Sequence, residues 1–431
     1  MVARRLYILT AVVLLPCLVS AQEVGRKEAD WPQWRGPDRN GLSSETGLLK
    51  DWRKTPPKLD WMSEGMGSGY ASLSVSGNRI FTTGNFSDGQ AVLAIDAADG
   101  AVVWKTSVTE VAPKHGAKGS RSTPAIDGGR LYIVASNGAI VCLNKERGDI
   151  EWSKDFRKEF RGKMMSGWGF SESPMIDGDW VLCTPGGSDA MIVALNKVTG
   201  DEVWRSAMPS IGNRGNDGAG YSSIVVSNAA GVKQYVQLVG RGLIGVRASD
   251  GKFLWGYNAI ANGTANVPTP IPTGDFVFCS TGYGTGAALV KLSAEGDGVK
   301  AEEQYFLNGN QLQNHHGGML LIGDYVYCGH KHNSGLPICV RWKDGKVAWG
   351  GDFRGPGGGS AAIVYADGHI IFRYQDGKVA LIEATPDEYR LKGVLTPEFQ
   401  KGNSWAQPVV AGGRLYLREQ DKLMCYSIKA R

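Results

Sequence analysis

The sequence predicts an all-β chain folded as an eight-bladed β-propeller with four-stranded blades. Three observations carry this. Glycine supplies 60 of the 431 residues, about twice the usual share of roughly 7%, while proline and charged residues stay ordinary. That excess excludes a coiled coil or helical bundle, whose interiors do not tolerate it. A Gly-x-x-x-Trp pattern recurs along the chain, and so does a strand, glycine turn, strand unit. With 42% apolar residues and no collagen-like period, the glycines mark tight turns between short strands of a well-filled core.

The tryptophan pattern runs Gly100 to Trp104, Gly148 to Trp152, Gly200 to Trp204, Gly251 to Trp255 and Gly345 to Trp349. One unit between the last two has lost its tryptophan, and Gly298 to Glu302 sits at the halfway point. An apolar strand and an Asp/Asn/Gly turn precede each tryptophan, and these residues tolerate the positive φ of a tight hairpin. The second pattern places turn glycines at Gly77, Gly128, Gly178, Gly274, Gly323, Gly368 and Gly412, and SSIVVSNAAGVKQYVQL completes the count of eight. The last unit ends at LMCYSIKAR without an outer strand, whereas KLDWMSE around Trp61 is an orphan strand upstream of the first. Joining the two closes the ring and removes an exposed edge. Trp61, Trp104, Trp152, Trp204, Trp255 and Trp349 are therefore read as structural wedges between blades.

Ahead of the propeller (61–431) lie an expected export leader (1–21) and an N-terminal arm (22–60). The leader has basic Arg4 and Arg5, an apolar stretch from Leu6 to Val19 and small residues at Val19-Ser20-Ala21. Cys17 raises lipidation, but Pro16 stands where a lipobox wants a small residue. The reading places the mature chain in the periplasm or cell exterior, as a monomer without a transmembrane segment. A net charge of +5 with no basic stripe argues against nucleic acid as a partner. Cys142, Cys183, Cys279, Cys328, Cys339 and Cys425 fall at recurrent core positions, and only Cys328 and Cys339 lie on neighbouring strands where a disulfide stays open.

The D/N-x-x-T/D-G-x-x-x-W strands resemble the pyrroloquinoline quinone (PQQ)-like repeat of the quinoprotein alcohol dehydrogenase-like superfamily, over Trp61 to Ile428. WPQWRGPDRNG at Trp31, GYAS, SRSTP, NHHGG at Asn314 and the closing AQPVVAGGRLYLREQDKLMCYS look like an exported planctomycete-type branch. The resemblance implies the propeller. It extends to dehydrogenases that use PQQ with Ca²⁺ and equally to a propeller lipoprotein of the outer-membrane β-barrel assembly machinery, which has the repeats without a cofactor.

In a propeller the innermost strands line a channel, so residues seven before each turn glycine should form a ring at its mouth: Tyr70, Arg121, Ser171, Val267, His316, Ala361 and Trp405, with Tyr221 matched through GYSS. Two readings stay open, a small-molecule or peptide site and a solvated channel. His330 and His332, two apart on an extended segment, should project to one side and are metal candidates, while adjacent His315 and His316 should project oppositely; hydrogen-bonding histidines are the other reading. Glu172 is the only carboxylate close to the ring. There is no P-loop, G-x-S-x-G, H-E-x-x-H or adjacent-cysteine pair, and TGYGTGA reads as a hairpin. No catalytic residue is assigned. Two functions follow: an exported, non-catalytic binding or scaffolding propeller for a protein or polymer, or a PQQ-dependent oxidoreductase acting on an alcohol or sugar.

Overall fold

Eight antiparallel four-stranded sheets, each a meander, follow one another along the chain. The computed structural model describes residues 30–430; the expected leader and Cys17 lie outside them. Blade 1 consists of Ser74–Ser76, Arg79–Phe86, Gly89–Asp96 and Val102–Ser107, and blades 2 to 7 repeat the order. In blade 8 the outer strand comes from the other end of the chain: Lys58–Glu64 pairs with Lys422–Ser427, Trp61 opposite Cys425. The ring is closed by this pairing, so no blade is left incomplete at the seam.

The repeated tryptophan has a fixed role in each blade. It stands opposite a small residue of the third strand: Trp104 faces Ala94, Trp152 faces Cys142, Trp204 faces Ala194, Trp255 faces Gly245 and Trp349 faces Cys339. A one-residue register shift beside it turns the indole toward the next blade. There the indole lies over the turn glycine. A Cβ on Gly100, Gly148, Gly200 or Gly251 would fall 2.4–2.7 Å from the ring of Trp61, Trp104, Trp152 or Trp204, respectively, and all four glycines have positive φ. The indole N–H donates to a carbonyl of that same turn, from Trp61 to Ala97, Trp104 to Lys145 and Trp152 to Lys197, at 3.2–3.3 Å.

Two blades lack the tryptophan, and each replaces it differently. In blade 5 the substitute is not at Gly298 to Glu302, as the spacing suggested. The hairpin Gly286–Glu295 with Gly298–Asn308 is longer than in the other blades, which displaces the position to Tyr305. Tyr305 stands opposite Leu289 and its hydroxyl donates to the carbonyl of Trp342 in blade 6. In blade 7 the position is Gly393, opposite Leu381, and the arm fills the gap: a Cβ there would lie 2.6 Å from Cβ of Trp52, itself buried.

All six described cysteines are free and buried. Cys328 and Cys339 do lie on adjacent strands, but Cys339 faces Tyr327 and Cys328 faces Ile338. Successive residues point to opposite faces of a sheet, so the two thiols are on different sides and no disulfide forms.

The arm does not trail outside the ring. Residues 31–49 cross the channel and bond to every blade: Trp31 bridges to Val75, Ile126 N–H donates to Pro32, Trp34 donates to Thr269, Leu42 pairs with Tyr365 and Leu48 with Lys429. Arg39 donates to the carbonyls of Ser173, Pro174 and Ile224, and Arg35 to those of Asn40 and Met319. Both arginines are buried.

Two stability outcomes follow. Trp204→Ala should cost roughly 3 to 5 kcal/mol in chemical unfolding, the range for a buried large aromatic, and Trp34→Ala clearly less. Arg39→Met should cost about 3 kcal/mol or more, because three buried carbonyls lose their donor at once; an unchanged unfolding midpoint would refute the role given to the arm.

Candidate functional site

The inner strands are short, and the segments leading into them surround the channel mouth. Tyr70 enters blade 1, Arg121 blade 2, Ser171 blade 3, Tyr221 blade 4, Val267 blade 5, His316 blade 6 and Trp405 blade 8, and all seven line one cavity of about 320 Å³. Ala361 does not reach it: it is buried in blade 7, its backbone pressed against Gly317. The arm forms the floor, with Trp34 lining the cavity and Thr269 shared with a second cavity of about 420 Å³ on the far side.

Sequence periodicity missed part of the wall. Trp168, Tyr283 and His332 from loops, His315 from the inner strand of blade 6 and Trp34 from the arm also line the mouth, at positions that the inner-strand period does not count. Tyr283 sits in the TGYGTGA hairpin at φ +56°, and a lone aromatic in a glycine-rich strand end was the available signal. The aromatic rings form a continuous arc. Tyr70 lies 4.7 Å from Trp405, Trp405 4.8 Å from His316, His316 4.2 Å from His315, and His315 4.0 Å from His332. Tyr283 packs 4.4 Å from His332, and Trp168 faces Tyr221 edge-on at 5.8 Å.

The histidine expectations need correction. Adjacent His315 and His316 do not project oppositely, because a register shift between Asn314 and Met319 breaks the strand alternation. His330 and His332 do not form a pair either. His330 is buried and accepts from Gln313 N–H, whereas Lys331, at φ +65°, turns the chain so that His332 joins the mouth. His315 is held by Ser360 at 2.7 Å and Tyr283 at 3.1 Å. The rings of His316 and His332 pack against that of His315 at inclinations of 43° and 51°, and among the described residues no group of three or more His, Cys, Asp or Glu is placed to hold a metal ion.

Burial sets the charge of the site. Desolvation, then the neighbouring His316 and His332, push His315 down to about 2; desolvation, then His332, push His316 down to about 3. Both are neutral at physiological pH. Arg121, lowered to about 10 by burial, remains a cation, but both its terminal nitrogens are spent on the carbonyls of Gly116, Ala117 and Trp168. It staples the loop before it and offers no free fork to a ligand. Glu172 faces away from the cavity. It accepts from Thr184 N–H at 2.6 Å, Thr184 Oγ1 at 2.7 Å and Gln237 Nε2 at 3.0 Å, and burial raises it to about 7.

A family model described as outer membrane protein assembly factor BamB matches residues 88–351, more than half of the chain. The chain belongs to that family. A curated BamB of Xanthomonas campestris pv. campestris is 29% identical over 109 residues, a match spanning 25% of each chain. Among solved structures, BamB from Moraxella catarrhalis aligns with a TM-score of 0.60 at 12% identity, over 86% of this chain and 100% of that one. The quinohemoprotein alcohol dehydrogenase ADHIIG from Pseudomonas putida HK5 aligns at 0.65 and 14%, over 94% and 81%. A europium-containing methanol dehydrogenase aligns at 0.62 and 11%, over 94% and 99%. These likenesses establish the propeller fold for this BamB-family chain.

The dehydrogenase neighbours raise PQQ with Ca²⁺ as a ligand of the mouth, and the donor set does not fit. Calcium takes six to eight oxygen ligands, carboxylates chief among them, and no Asp or Glu lines the cavity. A flat quinone needs a parallel slot, yet Tyr70 and Trp405 are inclined by 40° and His316 and Trp405 by 63°.

The neutral histidines make a pH prediction. Below about pH 6.5 the unfolded chain binds protons that the folded site refuses, so their contribution is complete above 6.5 and is lost as pH falls toward 3. Glu172, raised, acts in the opposite sense below about 7 but is common to both chains compared. From pH 7.5 to 5, stability should fall less steeply in His315→Gln/His316→Gln than in the wild type, the limiting difference being about 1.4 kcal/mol per pH unit for each histidine. Parallel slopes would contradict burial of neutral rings.

Proposed function

We propose that this chain is an exported binding or scaffolding propeller that engages a protein or polymer through its channel mouth and the surrounding loops, and that it performs no chemistry there. The observation that carries this reading is the aromatic cup itself: a concave, largely apolar cavity with a few polar atoms, which has the make-up of a recognition site. General base catalysis works best with a group whose pKa lies near the operating pH. His315 and His316 lie far below it, Glu172 is turned away, and both terminal nitrogens of Arg121 are occupied.

Membership of the BamB family supports a role beside other proteins, since the curated relative is described as an assembly factor. Among the described residues no helix is long and apolar enough to cross a membrane, in keeping with a chain delivered by the leader expected at 1–21. The alternative oxidoreductase is tested directly. Mature protein incubated with PQQ and Ca²⁺ and then desalted should retain no quinone absorbance and should not support dye-linked oxidation of alcohols or sugars; stoichiometric retention with turnover would overturn the binding reading.

A further inference from the structure

We propose that the aromatic cup takes an uncharged sugar ring from an oligosaccharide or polysaccharide chain, an assignment that rests on reading the mouth as a binding site. Three properties of the cup point to this ligand class. The first is shape. Its rings are mutually tilted, by 40° between Tyr70 and Trp405, 63° between His316 and Trp405, and 72° between Trp168 and Tyr221. Such walls fit a puckered ring whose C–H bonds meet several electron-rich π faces at once, and at about 320 Å³ the cavity has room for a small ring system rather than a folded protein element.

The second property is hydrogen bonding. His316 Nε2 and His332 Nδ1 are buried without a partner in the protein, although His315 between them is bonded at both nitrogens. A neutral imidazole nitrogen is an acceptor or a donor according to tautomer. A hydroxyl satisfies either, being donor and acceptor together, whereas an apolar side chain would leave both nitrogens unpaired. The third is charge. No carboxylate lines the cup to hold a cation. The Arg121 guanidinium is turned into loop carbonyls, so it cannot present the bidentate fork that selects carboxylate or phosphate. What remains is a neutral polyol.

The test uses the intact mature chain, titrated calorimetrically with neutral trisaccharides of glucose, mannose, galactose and xylose, with tryptophan emission read in parallel because Trp34, Trp168 and Trp405 line the cup. At least one sugar class should saturate and shift the emission, and Trp405→Ala should abolish the response. His316→Phe is the decisive variant. It keeps the stacking face and removes the ring nitrogens, and should weaken binding by about tenfold, the loss of one hydrogen bond, with an unchanged melting temperature. No saturation by any of the four sugars, or binding indifferent to both substitutions, overturns the proposal. If a Trp-bearing tripeptide binds instead, and His316→Phe holds it as tightly or more so, the cup is a binding site for peptide side chains and the sugar assignment alone falls. If neither ligand binds while PQQ with Ca²⁺ is retained, the binding reading falls with it.

Discussion

The guanidinium of Arg39 ties the architecture together at the axis. Eight blades arranged radially bring the ends of short inner strands to a common channel, where backbone carbonyls must find donors or remain wet. Arg39 supplies three donors to blades 3 and 4, and Arg35 reaches Met319 in blade 6. Both sit at positive φ, a conformation that costs a non-glycine residue free energy and persists only where the surroundings over-determine it. Here the surroundings are blades on all sides, so the arm is part of the core, and the cavity it floors is closed below and open at the mouth.

Outward from the axis, the blades are joined by a repeated contact. An indole packs on a glycine turn of the next blade and, at several junctions, donates to that turn's carbonyl, coupling apolar burial to satisfaction of a backbone group. Where the tryptophan is absent, Tyr305 keeps the contact from a longer hairpin, lying against Gly345 and donating to the carbonyl of Trp342, while at Gly393 the buried Trp52 of the arm fills the gap without such a donation. The seam carries additional buried charge. Arg373 of blade 7 pairs with Glu419 of blade 8 at 2.7 Å, and Arg418 donates to Thr82 and to the carbonyls of Thr83, Met66 and Gly67 across into blade 1. Glu419 also accepts from Ser404 and from Lys401 N–H, so the carboxylate is fully engaged. Removing one partner of such a group costs far more than the pair is worth, which makes this the junction least tolerant of polar substitutions.

The character of the mouth follows from this frame. Because the arm and blades exclude water, His315 and His316 are held neutral, their rings tilted against each other, and the Arg121 cation that lines the mouth is consumed in bracing a loop. Quinoprotein dehydrogenases and BamB share the ring, yet the ring does not decide the chemistry. The residues at the mouth do, and here they present π faces and the unpaired nitrogens His316 Nε2 and His332 Nδ1.

Blade number, strand order, closure by the strand at Trp61 and the seven inner residues that meet at the cavity were all legible in the sequence. The reason is periodicity: a glycine turn and an indole at fixed spacing report local geometry that each blade repeats. What broke the period was not legible. The longer hairpin moved the blade 5 substitute to Tyr305, a register shift brought His315 and His316 to one side, and the positive φ of Lys331 separated His332 from His330. Trp34, Trp52, Arg35 and Arg39 belong to the arm, which lies outside the repeat, so no spacing could place them at the axis or against Gly393. Those positions are decided by which buried carbonyls and gaps the closed ring leaves unfilled, and that is known only once all eight blades are in place.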